Sequence, residues 1–358
     1  MSFQGDFLKL VRKGIGKDTE PILDSIDWGG VHALAQTQGL SAIVLDGINL
    51  MPDVSASMPI QMKLNWIGEV LQSYEGRYST YEKSIGCLAR FYAKHGIKMM
   101  VLKGYGLSLN YPTPMHRPCG DIDTWNFGKQ KKADEILTKE LGIKVDTSEH
   151  HHTVFNWQGN MVENHYDMLV KSAITTNKRL DAILKELAMD DSNFVEVSGG
   201  KVYLPSANFN ALFLLRHMLM HFVARGIQLR ILLDWGFFWE KHWNEVDTDR
   251  IIGFIKKYGM MDFFNIANAI CVDDLGFNSG IFPVVQFNPE LKKRVMNDIL
   301  QPEYDWKEAH RLSFFPRLVF KYKRWKSGMW KRELCYGESS WESFWSSVWS
   351  HLLKPRSI

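Results

Sequence analysis

Apolar positions set the architecture of this chain before any motif is considered. From residue 3 to residue 95 they recur every three or four positions, in Phe7, Leu8, Leu10 and Val11, then Ile22, Leu23 and Ile26. The run from Ile60 to His95 continues the pattern through Trp66, Val70, Tyr74, Tyr78, Tyr81, Ile85, Leu88 and Phe91, which predicts one long amphipathic helix closed by Gly96. The texture then changes. Ile97–Leu102 (IKMMVL) is a short, nearly continuous apolar run, as a buried strand would be, and a short helix is expected over Tyr105–Tyr111. Three prolines and a glycine between Pro112 and Gly120 read as a loop, and Asp121–Phe127 reads as a second strand. Lys129–Leu141 follows as a charged amphipathic helix stopped by Gly142. Further strands are expected over Ile143–Val145, Thr153–Trp157 and Met161–Asp167, the last two joined by a hairpin turn at Gln158-Gly159-Asn160. Helical periodicity returns in Ala207–Ala224, Leu229–Trp243, Asp247–Tyr258, Met261–Leu275 and Pro289–Ile299.

The pattern predicts an α+β protein in three parts. A helical N-terminal segment (1–95) precedes a small mixed β-sheet core (96–205). A helical C-terminal domain (206–358) ends in a basic, aromatic tail. Composition agrees with a folded protein: 45% of residues are hydrophobic and 13% aromatic. The net charge of +3 over 358 residues makes the whole molecule a poor electrostatic match for long nucleic acid. Four scattered cysteines, with no CxxC pair, fit a reducing compartment. The first residues, MSFQGDFLKLVRKGIG, lack an apolar signal region, and no run of 18 apolar residues occurs, so a cytoplasmic protein is expected.

The chemistry concentrates in Gly120-Asp121-Ile122-Asp123. On a strand, the two-residue period puts both carboxylates on one face and Ile122 on the other. Two adjacent like charges repel unless a cation lies between them, and a hard divalent ion such as Mg²⁺ is the natural occupant. An edge strand carrying two solvated aspartates has the same pattern. The surroundings favour the metal. Lys103-Gly104 directly follows the preceding apolar strand, Arg117 lies in the loop leading to the acids, and Glu163 and His165 share a face of a later strand. A lysine and an arginine for phosphates with three acids from two strands make a coherent site for a metal and a triphosphate.

Those residues, Lys103-Gly104, Arg117, Gly120-Asp121-Ile122-Asp123 and Glu163-Asn164-His165, resemble the polymerase β-type nucleotidyltransferase superfamily. Within it they resemble the uncharacterised bacterial branch, over roughly residues 95–240. The resemblance implies Asp121, Asp123 and Glu163 as ligands of two Mg²⁺ ions, with Glu163 also drawing the proton from the acceptor. It implies Lys103, Gly104, Arg117 and Gly120 as contacts to the triphosphate of an NTP donor, with pyrophosphate as the leaving group. The acceptor would be a sugar, a small molecule or a protein side chain. A catalytically inactive nucleotide- or partner-binding module of the same fold is the alternative.

Other features are weighed against plainer roles. His165, His217, Arg230 and Asp234 are candidates on the substrate side. His217 and His221, four residues apart on a helix, with Asp234, also have the composition of a metal hydrolase site, although no HExxH glutamate accompanies them. His150-His151-His152 reads as a solvated surface loop, with fortuitous metal affinity as the alternative. Arg317–Arg332 mixes seven basic residues with aromatics and contains no acid, and Trp341–Leu353 carries a tryptophan-rich helical stripe. Arg317–Arg332 is expected to be a solvated basic helix face, with binding of nucleic acid, acidic lipid or an anionic acceptor as the alternative. The stripe 341–353 is expected to dock on the core or on a second subunit; peripheral membrane contact through 317–353 is the weaker reading.

Overall fold

A computed structural model of the chain describes residues 3–20, 25–149, 151–171, 176–283, 286–304 and 313–336. It divides into two units, Met1–Asn210 and Ala211–Ile358. The tryptophan stripe of 341–353 and His150 lie outside the described residues.

The first unit begins with helices α1 (Phe3–Gly14), α2 (Trp28–Gln38), α3 (Ser41–Asn49), α4 (Pro52–Ala56), α5 (Ile60–Val70) and α6 (Arg77–Lys94). The single long helix expected over 60–95 is interrupted. Leu71–Gly76 forms a π-helical turn, and α6 resumes after it. The sheet elements follow as β1 (Met100–Val101), α7 (Tyr105–Ser108), β2 (Ile122–Trp125), α8 (Gln130–Leu141), β3 (His152–Trp157) and β4 (Asn160–His165). Helix α9 (Asn177–Ala188) and a second hairpin, β5 (Phe194–Val197) with β6 (Gly200–Tyr203), complete it.

The six strands form one mixed sheet in the order β3-β4-β2-β1-β6-β5. Strand β2 pairs parallel with β4 and antiparallel with β1, so the strand of the two aspartates is interior. Ile143–Val145 is not a strand; Asp146 makes a single bridge to Val154 instead. One face of the sheet is apolar. Val101, Ile122, Phe155, Val162 and Val202 pack with Tyr81, Ile85, Leu88 and Tyr92 of α6 and with Ala133 and Leu137 of α8. Asn164 shares that face and is fully buried; its amide donates to Asp134 Oδ1 of α8 at 2.8 Å, which explains a polar residue in a core position. The opposite face is left for Asp121, Asp123, Glu163 and His165.

In the second unit, helix α10 (Ala207–Ala224, beginning in the first unit) leads into α11 (Leu229–His242), α12 (Thr248–Lys257), α13 (Met261–Asp273), α14 (Pro289–Leu300), α15 (Phe314–Ser327) and α16 (Met329–Tyr336). Trp235, Phe238, Trp239 and Phe264 form an aromatic core. Part of the basic aromatic segment docks here. Lys331 Nζ lies 2.6 Å from Asp298 Oδ2, and the Arg294 guanidinium stacks 4.2 Å above the Trp330 ring. No helix of the described residues is long and apolar enough to cross a membrane.

Candidate active site

Pairing register assembles the site. In the parallel β2–β4 ladder, Asp123 is level with Glu163 and Trp125 with His165, so both acids and the imidazole emerge on one face. Asp121 precedes β2 by one residue and falls on the same side. The β3–β4 hairpin turns through Gln158 and Gly159, both with positive φ (50° and 83°), as a two-residue type I′ turn requires. That turn fixes His152 opposite His165 and Val154 opposite Glu163. His152 therefore joins the acidic face. His152 is not a solvated loop residue: it opens β3 at 7% exposure, and the half-buried His151 ring meets it edge to face at 4.2 Å between centroids.

The distances are short. His165 Nε2 lies 3.1 Å from Asp123 Oδ1 and 3.7 Å from Glu163 Oε2. Lys103 Nζ lies 2.8 Å from the same Asp123 oxygen. His152 Nδ1 is 3.7 Å from Glu163 Oε2 and 3.1 Å from His151 Nε2. Ligand atoms of Asp123, Glu163 and His165 all fall within 4.8 Å of one another, and so do those of His151, His152 and His165. Lys103 is delivered by the turn after β1. There Gly104 adopts φ +56°, and the Tyr81 hydroxyl, donating to the Asp121 carbonyl at 2.8 Å, occupies the space a side chain would need.

Charge follows from this packing. Burial alone would raise the Asp123 carboxyl, but the Lys103 ammonium and His165 outweigh it and hold Asp123 far below the carboxylate range. Asp121 goes the other way: burial, then the charges of Asp123 and Glu163, raise its pKa. Glu163 is lowered, because His165, His152 and Lys103 overcome burial and the charge of Asp123. Burial disfavours a charged His165, yet its bonds to both acids raise its pKa. Burial and the neighbouring imidazoles bring His151 down to about 3.

The remaining candidates are distributed. Arg117 is buried, donates from Nη1 to the Pro118 carbonyl at 3.2 Å, and acts electrostatically on the phenols of Tyr78 and Tyr81. Gly120 is exposed, with open space where a Cβ would stand. In the second unit, His217 and His221 approach Nε2 to Nε2 at 3.0 Å, and Arg230 lies 4.0 Å from Asp234. Among the described residues His217, His221 and Asp234 do not form a group able to hold a metal.

Residues 24–273 match the profile of a family described as uncharacterised nucleotidyltransferase. The chain belongs to this family. The match covers the whole sheet and the first helices of the second unit. No curated protein and no solved structure matches the chain. As a nucleotidyltransferase it takes a nucleoside triphosphate as substrate, and the acids just described are its candidate ligands for the divalent metal that this chemistry uses.

His151 and His152 come to the site from the histidine run that the sequence places in a loop, and Tyr81 from no motif at all. The signal for His152 was present in the hairpin: each step back along β3 matches a step forward along β4, so a two-residue turn at 158–159 places it beside His165. Tyr81 carried no sequence signal beyond its place on the apolar stripe of α6.

Proposed function

We propose that the protein is a Mg²⁺-dependent nucleotidyltransferase that moves a nucleoside monophosphate from an NTP to a sugar, small-molecule or protein acceptor and releases pyrophosphate. The observation that supports this most is the register of Asp123 with Glu163 on adjacent parallel strands, with Asp121 on the same face. The donor set fits a divalent metal: Asp123 and Glu163 offer oxygens beside the His165 nitrogen, and Asp121 stands on the same face with its pKa raised by burial and then by those two acids.

Asp121, Asp123 and Glu163 would hold the metal. Bound Mg²⁺ would neutralise the charge that develops on the triphosphate and lower the pKa of the acceptor hydroxyl. Lys103, already at the carboxylates, would exchange part of its contact with Asp123 for a phosphate oxygen. Glu163, kept ionised by the cations around it, would take the acceptor proton. As that proton leaves, the acceptor oxygen bonds to the α-phosphorus, and the bond from the α-phosphorus to the bridging oxygen breaks, with its electron pair leaving on pyrophosphate. Arg117 and Gly120 are assigned to the triphosphate.

One observation favours the binding-module alternative. Asp123 is already neutralised by Lys103 and His165, so this face can fold without a metal. Thermal shift with each of ATP, GTP, CTP and UTP, with and without Mg²⁺, separates the readings. A ligand at 100 times its Kd stabilises by about 2.7 kcal/mol. A Mg²⁺-dependent shift with one triphosphate, absent in Asp121→Asn/Asp123→Asn, is the expected result. An NTP shift indifferent to Mg²⁺ supports the module, and no shift with any triphosphate overturns the enzyme reading.

A further inference from the structure

Beside the oxygen face stands a nitrogen one. His151, His152 and His165 bring three imidazoles together from the start of β3 and the end of β4, with ring centroids 4.2 to 5.4 Å apart. Nucleotidyl transfer as described above uses neither His151 nor His152. Glu163 Oε2 is 3.7 Å from both His152 Nδ1 and His165 Nε2, and His151 Nε2 lies 3.1 Å from His152 Nδ1, so the three imidazoles form one chain of close nitrogens.

We propose that the imidazoles of His151, His152 and His165 form a site for one divalent transition-metal ion of the zinc class, adjoining the carboxylate site at Glu163. Three arguments carry it. Imidazole nitrogen suits zinc and cobalt, whereas magnesium prefers oxygen and keeps its waters. Bonds of roughly 2.0–2.1 Å at tetrahedral angles place ligand atoms about 3.3–3.4 Å apart, and the 3.1 and 3.7 Å separations bracket that value. The hairpin register also makes the arrangement rigid: His152 and His165 are cross-strand partners in a ladder that runs unbroken to the turn.

The site is tested on tag-free, full-length, metal-stripped protein with Co²⁺, without nucleotide. The expected result is one equivalent of tightly bound Co²⁺ with the intense visible bands of a four-coordinate, nitrogen-containing site. Zn²⁺ should displace it and excess Mg²⁺ should not. His151→Asn should weaken Co²⁺ binding by at least the roughly 10–100-fold that losing an outer partner of a ligand costs, and His151→Asn/His152→Asn should abolish the bands. Circular dichroism and the metal-free melting temperature of both variants show that the fold survives. The displacement by Zn²⁺ but not Mg²⁺ needs no variant at all. Weak octahedral bands, displacement by Mg²⁺, or bands unchanged in the variants would overturn the proposal. The site rests on the same fold as the nucleotidyl-transfer reading, and because the Co²⁺ readout is made without NTP, a failure of one is distinguishable from a failure of the other.

Discussion

At the level of single residues, the turn that delivers Lys103 depends on Gly104. Its φ of +56° is costly for any side chain, and a Cβ there would lie 2.4 Å from the Tyr81 hydroxyl. Tyr81 cannot swing aside cheaply, since it is fully buried and bonded to the Asp121 carbonyl. Gly104→Ala is therefore expected to destabilise by about 2–4 kcal/mol, combining backbone strain with overpacking. Tyr81→Phe alone should cost about 1 kcal/mol. Urea unfolding of both variants and their combination completes the cycle. If the clash matters, Gly104→Ala costs less when combined with Tyr81→Phe; an unchanged cost assigns the whole effect to backbone strain. The catalytic candidates were legible in sequence because carboxylates at alternate positions on a strand share a face whatever the tertiary context. Tyr81 and His151 were not, because their proximity to the acids comes from the packing of α6 and of the β3 entry, which no local spacing encodes.

Among the elements, β2, β4 and their helix α8 were readable because their apolar and polar positions follow clear periods bounded by glycine and proline. Strand β1 shrank to Met100–Val101, since the apolar run Ile97–Leu102 marks burial and not the extent of pairing. Hairpin β5–β6 went unread: Phe194 and Glu196 are exposed and Lys201 faces solvent, so its alternation is diluted at a sheet edge. What anchors that edge is backbone contact with α6. A Cβ at Gly86 would stand 2.1 Å from the Val197 carbonyl oxygen, whereas one at Gly68 in α5 meets nothing within 4 Å. Helix propensity alone favours alanine at both positions by up to about 1 kcal/mol. Gly68→Ala should therefore stabilise by that amount, and Gly86→Ala should destabilise by about 1–3 kcal/mol because strand and helix must separate. Equal effects of the two substitutions in chemical denaturation would show that the edge hairpin does not rest on Gly86.

For the whole molecule, a site that gathers acids for a metal lowers the stability of the metal-free chain. Asp121 carries this cost most plainly, its ionised form disfavoured first by burial and then by Asp123 and Glu163. A carboxyl whose folded pKa lies above its unfolded value of 3.8 makes no difference below that pH. As pH rises through the folded pKa, ionisation costs the folded state stability, and the penalty is complete above it. Asp121→Asn should thus match the wild type in melting temperature near pH 3 and exceed it at pH 7. The expected gain is about 2–4 °C, which is what a difference on the order of 1 kcal/mol produces in a domain of this size. Saturating Mg²⁺ with the preferred triphosphate should reverse the order at pH 7, because the ligand stabilises only the chain that retains its carboxylate pair. Asp123→Asn should show no such gain without metal, since Lys103 and His165 already stabilise that carboxylate and each would lose a charge-assisted contact with it. A metal-free Asp121→Asn protein no more stable than the wild type at pH 7 would mean that the three acids do not strain the fold, and the electrostatic case for a cation between them would fail with it.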